Sequence, residues 1–302
     1  MAKYLDPKND LVFKRVFGEH PHLLISFLNA LLPLEKDRVV ESVEYLPHEQ
    51  ADIQIDSRRT IVDVKCKDSH GRQFIVEMQM YWSSVFNSRM VFNASRAFAR
   101  QLKKGDNYTQ LKPVYGIAIL NDYMQPKDEN SNFYHHYKTV NIENTNDVIH
   151  GLEFVLVELP KFKPEKIADR KMAILWLRFL KEVGEENFKV DKEMAGNEEI
   201  NEAIEICAEG GFTEDELETY ETYWDKIRTE IAVNIASFEE GKAKGKAEGL
   251  NEGVNIGKWE QAVKVILKGN KAGMSVDALA ALTDLSPEQV TAILKEQGLL
   301  NS

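Results

Sequence analysis

Alternation of polar and apolar positions is clearest in residues 61–79, IVDVKCKDSHGRQFIVEMQ. Ile61, Asp63 and Lys65 point to one side of a strand while Val62, Val64 and Cys66 point to the other. In a second run, Phe74, Val76 and Met78 oppose Ile75, Glu77 and Gln79. Each run therefore offers one apolar face to a core. Between them, Ser69-His70-Gly71 suits a three-residue hairpin loop whose glycine adopts the left-handed conformation. That loop pairs Asp68 with Arg72 and, counting outward, sets Asp63 opposite Glu77.

The patterning on either side of the hairpin predicts the rest of an α/β core. Asp10 reads as the N-cap of a first helix carrying Leu11, Val12, Phe13, Val16 and Phe17 and ended by Gly18. A second helix from His22 to Leu32 is apolar on most sides and stops at Pro33. Short strands are expected within Val39 to Leu46 and around Ile53 to Ile55. From Ser83 to Lys104 the chain reads as a long helix with Arg89, Arg96, Arg100 and Lys103 at steps of seven, four and three residues. Those steps return within about 60° of one direction on a helix, which makes a basic stripe. Phe86, Val91, Phe98 and Leu102 are then left to pack on a sheet. Val114 to Leu120 is nearly all apolar, as in a central strand covered on both faces, and Phe133 to Val140 and Leu152 to Leu159 read as further strands.

After Pro160 the texture becomes helical. Lys171 to Leu180 is strongly apolar, and residues 182–240 hold 19 acids against 4 bases. Gly241, Gly245, Gly249, Gly253 and Gly257 then recur every four residues. Each costs a helix interior about 1 kcal/mol relative to alanine, so the segment is read as a flexible connector rather than a helix held against a partner. From Trp259 onward three short helices follow, the last two resembling a helix-turn-helix. The final helix, Pro287 to Gln297, has only Lys295 as a base, so a packing or oligomerisation module fits it as well. The expected division is a core over 1–160, an acidic helical extension over 161–240, a connector over 241–258 and a small helical tail over 259–302.

Composition narrows the class. The 302 residues are 43% hydrophobic and 29% charged, ordinary for a soluble globular chain, and no apolar run reaches the ~20 residues of a membrane span. The start lacks the apolar core of a signal peptide, so the expected location is the cytoplasm. Two cysteines make no disulfide framework, and Cys66 falls on an apolar face. The net charge of −11 is unevenly spread: residues 1–160 hold 19 bases and 21 acids, the remainder 19 and 28. A nearly neutral first half can carry a local basic stripe, whereas the acidic stretch over 182–240 should not touch nucleic acid.

The chemistry lies in the hairpin. Directly opposed side chains on antiparallel strands have β-carbons about 5 Å apart. Two carboxylates so placed repel each other unless they share a cation, and a hard divalent ion such as Mg²⁺ or Mn²⁺ takes oxygen ligands. Asp63 and Glu77 are therefore the candidate metal ligands, and Gln79, on the same face, is placed to orient a water. Arg89, Arg96, Arg100 and Lys103 are the candidate phosphate contacts.

Asp63, a hairpin, then Glu77-Met78-Gln79 resembles the D…ExQ variant of the PD-(D/E)XK nuclease core. Asp10-Leu-Val-Phe13-Lys14-Arg-Val-Phe17 and Tyr108-x-x-Leu-Lys-Pro113-Val extend the likeness to the recombination-promoting, transposase-like group of that superfamily, over roughly residues 5 to 160. The resemblance implies a restriction-endonuclease-like fold, a mixed central sheet flanked by helices with an all-α C-terminal extension. It also implies metal-dependent cleavage of DNA linked to recombination or mobile elements. Gln79 stands where the last motif usually has lysine, and Lys14, supported by Asp10, becomes the candidate source of positive charge. Other readings remain open: a nuclease-fold protein that binds nucleic acid with little cutting, or an interaction module using its acidic helices. A homo-oligomer through the C-terminal helices is compatible with either.

Overall fold

The computed structural model describes residues 3–34, 38–46, 61–83, 85–124, 132–164 and 170–299. Its centre is the strand expected to be covered on both faces: β4, Val114–Leu120, is buried at every position. Among the described residues the sheet has six strands: β1 (Val43–Tyr45), β2 (Ile61–Asp68), β3 (Gln73–Gln79), β4, β5 (Tyr134–Val140) and β6 (Val148–Glu158). They lie in the order β1-β2-β3-β4-β6-β5. β3, β4 and β6 run parallel, while β1, β2 and β5 run antiparallel to their neighbours. The expected strand around Ile53 to Ile55 lies outside the described residues.

The period-two pattern sorts side chains onto two faces. Val64, Cys66, Phe74, Val76, Met78, Ile117 and Ile119 join the main core, with residues of α1 (Asp10–Phe13), α2 (Pro21–Leu31), α4 (Lys171–Glu182) and α6 (Glu198–Ile206). Phe17, Phe27, Trp176 and Phe179 form an aromatic cluster there, and Trp176 donates its indole N–H to Ser26 Oγ at 3.1 Å. This core runs without a break across the expected boundary at residue 160. The opposite face is covered by α3 (Phe86–Ala99), whose Phe86, Met90 and Ala94 pack on Ile75, Val114, Ala118, Leu120 and Leu156. Gly116 leaves room on this face, since a Cβ there would lie 2.8 Å from the Phe154 ring of β6 and 3.4 Å from Met90 Cγ of α3.

Three local expectations are corrected. The first helix is capped by Asn9, whose side chain accepts from Leu11 N–H, and Asp10 is its first residue; the helix then widens into a π-turn over Lys14–Gly18. Asn and Asp are equally good caps, so two neighbouring candidates could not be ranked from sequence. α3 ends at Ala99, so Lys103 lies beyond it, and Val91 is exposed rather than packed on the sheet. The glycine segment is helical: α7 runs unbroken from Glu214 to Lys271 and includes all five glycines.

The chain forms two compact units, Met1–Arg228 and Thr229–Ser302. In the first, the start of α7 is tied to the N-terminus: Tyr220 Oη accepts from Asp6 N–H at 3.1 Å and Tyr223 Oη donates to the Lys8 carbonyl at 3.2 Å. The second has its own core of Ile266, Leu279, Val290, Ile293 and Leu294, built from α7, α8 (Val276–Thr283) and α9 (Pro287–Glu296). Ser286 and Gln289 form a reciprocal capping box at the start of α9. Among the described residues no helix is long and apolar enough to cross a membrane.

Candidate active site

The β2–β3 hairpin has the register expected from its alternation: Asp63 pairs with Glu77, Lys65 with Ile75 and Ile61 with Gln79. Its turn sets that register. Gly71 takes φ +78°, a conformation costly for any residue with a Cβ, and its N–H donates to the Asp68 carbonyl at 2.9 Å. The Asp68 carboxylate accepts from the backbone N–H groups of His70 and Arg72 and, at 2.6 Å, from Arg72 Nε. Arg72 in turn donates to the carbonyls of Arg38 and Val39, tying the hairpin to the segment before β1. This clamp was not foreseen, although the D-x-x-G-R spacing carries it.

Glu77 and Gln79 point from β3 towards α3 and are both buried, at 2% and 7% exposure. They would be stranded polar groups without the helix above them. α3 supplies the partners from the stripe next to its buried one. Asn93 Nδ2 donates to Glu77 Oε1 at 3.2 Å, Arg89 Nη2 donates to Gln79 Oε1 at 2.6 Å, and the same nitrogen lies 3.9 Å from Glu77 Oε2. Arg89 also rests on the ring of Phe86, 5.1 Å from its centroid. The stripe was expected to turn away from the sheet; instead Arg89 turns inward. Asn93 was missed, and its signal is the four-residue step from Arg89.

One turn further along α3, Asn93, Arg96 and Arg100 line a small cleft with Lys65, Gln73 and Ile75, about 30 Å³ in volume and large enough for one water. Arg96 lies over the ring of Phe92 at 5.7 Å. Arg96 and Arg100 thus share this cleft with Asn93, the partner of Glu77, and with Lys65, which the sequence did not single out. Lys103 is exposed in the turn after α3, where its N–H donates to Asp106 at 2.7 Å. Lys14 sits on the π-turn in the helical layer of the opposite face, and its ion-pair partner among the described residues is Asp10, at 2.8 Å. The structure therefore groups Glu77, Gln79, Arg89 and Asn93, places Asp63 opposite Glu77 by the strand pairing, and sets Arg96 and Arg100 in the neighbouring cleft.

The donor set suits a hard divalent cation: a buried carboxylate held at one oxygen by Asn93, a second acid across the ladder, and main-chain carbonyls, with no sulfur or imidazole among the site's described groups. Among the described residues there is no group of three or more metal-ligating side chains. Burial pushes the Cys66 thiol up to about 12, so on the other face of the hairpin it is an inert core side chain. Comparison with known proteins finds no matching curated protein and no matching solved structure. A family model described as PD-(D/E)XK nuclease family transposase does match, over residues 7–233, and it takes in the sheet, α3 and the helices of the main core. The chain belongs to the PD-(D/E)XK nuclease family transposases.

Proposed function

We propose that this protein is a Mg²⁺- or Mn²⁺-dependent DNA endonuclease that hydrolyses phosphodiester bonds in the cytoplasm, in the service of recombination or a mobile element. The observation that carries the reading is the pairing of Asp63 with Glu77 on a hairpin whose second acid is buried beneath Asn93 and Arg89. Family membership supports the same chemistry, because PD-(D/E)XK nucleases typically use divalent metals. When bound, the cation lowers the pKa of a water and offsets charge on the phosphate.

In this reading Asp63 and Glu77 hold the cation together with a main-chain carbonyl near Met78. Asn93 holds the Glu77 carboxylate at one oxygen. Arg96, Arg100 and Lys65, which border the cleft beside it, contact phosphates of the bound strand, and Lys103 reaches them from the following turn. Lys14, supported by Asp10, adds positive charge near β2, on which its π-turn packs: the Cβ position at Gly18 lies 4.0 Å from Val64. A second copy held through the C-terminal helices belongs to the same proposal. In the second unit α7 leaves Phe238, Leu250, Val254 and Trp259 exposed, and its five glycines border open space.

Binding without turnover is the second reading, favoured by Gln79, whose amide carries no charge. Incubation of the full chain with supercoiled plasmid separates the two. Cleavage should require Mg²⁺ or Mn²⁺, and Glu77→Gln should lower its rate by at least about 10²-fold while leaving the fold intact. Plasmid that is bound but never cut, at any divalent cation concentration, would leave the binding reading standing.

A further inference from the structure

The contact between Arg89 and Gln79 determines which way the Gln79 amide faces. A guanidinium only donates, so the Gln79 atom 2.6 Å from Arg89 Nη2 is the carbonyl oxygen. Its amide nitrogen, with two N–H groups, therefore faces the other way. With its oxygen so engaged, Gln79 is left to act at the site as a hydrogen-bond donor. This changes the role suggested by its position alone: Arg89 takes one lone pair of its oxygen, and its two N–H groups are the donors it offers to an anion.

Arg89 is set up for a role other than tracking a strand. Its side chain is only 20% exposed, seated between the Phe86 ring and the polar ends of Glu77 and Gln79. Arg96, seven residues on, and Arg100 belong instead to the cleft beside the site. The helix thus divides its cations between an inner position against Glu77 and an outer position along the cleft.

We propose that Arg89 and Gln79 act as one composite donor for the phosphate undergoing hydrolysis. Gln79 presents its amide N–H groups to a non-bridging oxygen, and Arg89 supplies the positive charge that polarises the amide and offsets negative charge as it builds. The assignment rests on the nuclease reading. It follows from a chemical need: the acids that hold a cation cannot donate to phosphate, Asn93 donates to Glu77, and Gln79 and Arg89 are donors linked to each other at the buried end of β3.

The test compares Arg89→Gln, Gln79→Glu and the double variant Gln79→Lys/Arg89→Gln, measuring plasmid cleavage under steady-state conditions and anisotropy of a labelled duplex in Ca²⁺. Gln79→Glu keeps an acceptor for Arg89 but removes the N–H donors, and Arg89→Gln removes the charge. Each should lower kcat about 10²-fold, while the duplex Kd and its slope against salt stay near the parental values. The double variant restores a charged donor at position 79 and should recover at least about tenfold over Arg89→Gln. If Arg89→Gln instead raises KM and flattens the salt slope with kcat unchanged, Arg89 is a strand-tracking residue and the assignment is wrong. It is also wrong if the double variant stays as slow as Arg89→Gln. A parental chain that binds duplex but never cuts would overturn the nuclease reading and this assignment together, whereas a cutting parent with the contrary variants overturns the assignment alone.

Discussion

Asp68 and Arg72 show what single residues contribute to the site without touching it. The Asp68 side chain is fully buried and Arg72 is 8% exposed, and the pair closes the hairpin that sets Asp63 against Glu77. Breaking a buried pair by removing one partner leaves the other charge uncompensated, which costs about 3–5 kcal/mol. Arg72→Ala should therefore lower the stability by an amount of that order, with Asp68 keeping its bonds to backbone N–H groups and the His70 ring 3.8 Å away. The double change Asp68→Asn/Arg72→Ala should recover part of the loss, and denaturant titration of the three proteins measures it. An Arg72→Ala protein as stable as the parent would mean that Gly71 and the strand ladder alone define the turn. The register itself was legible in the sequence, because a slip of one residue would bury Asp63, Lys65, Glu77 and Gln79 on the main core face. The clamp was less so, since a carboxylate three residues before a glycine reads equally well as a solvated turn residue.

α3 marks the point at which sequence patterning stops being sufficient. Its periodicity identified a helix with an arginine stripe, and Phe86 and Phe98 as sheet-facing residues, but rotation about the helix axis is decided by what lies beneath. Gly116 opens the sheet to Met90, and the buried polar ends of Glu77 and Gln79 draw Asn93 and Arg89 inward. The turned helix leaves Val91 and Phe92 in solvent, a modest cost set against two buried polar groups that would otherwise lack partners. Its early end has a local cause as well: Gly105 takes φ +99° and the Lys103 N–H is held by Asp106, which removes Lys103 from the stripe. With Arg96 and Arg100 beside one cleft, Arg96→Ala/Arg100→Ala should raise KM for DNA several-fold. It should also reduce the slope of log affinity against log salt by up to about 2, close to one unit for each phosphate that the arginines neutralise. An unchanged salt slope would detach the cleft from the path of the DNA.

At the scale of the whole molecule, α7 sets local propensity against its context. Five glycines at a cost of about 1 kcal/mol each argued for an interrupted chain, yet the helix continues through all of them from Glu214 to Lys271. Its beginning is anchored in the first unit by Tyr220 and Tyr223, and its end in the second by Ile266, so the glycine stretch is propagated from packed ends rather than nucleated alone. Propensity summed over a window cannot see those anchors, which is why the sequence suggested a connector. The glycines leave room for a close neighbour: a Cβ at any of the five would meet nothing within 4 Å, while Leu250 and Val254 stand exposed among them. If a second copy packs there, Gly245→Ala/Gly249→Ala/Gly253→Ala should make the isolated helix more stable, by roughly 0.4–1 kcal/mol per site, yet weaken self-association, because the added methyl groups hold the partner away. Sedimentation of the parent and the triple variant measures the second effect and thermal melting the first. The proposed hydrolytic site should be indifferent to both, so a chain ended at Phe238, which keeps the whole Met1–Arg228 unit, should fold and retain the proposed DNA cleavage. A parent that sediments as a monomer at every concentration would refute self-association through α7. A truncated chain that folds yet has lost all cleavage would instead place the second unit within the catalytic assembly.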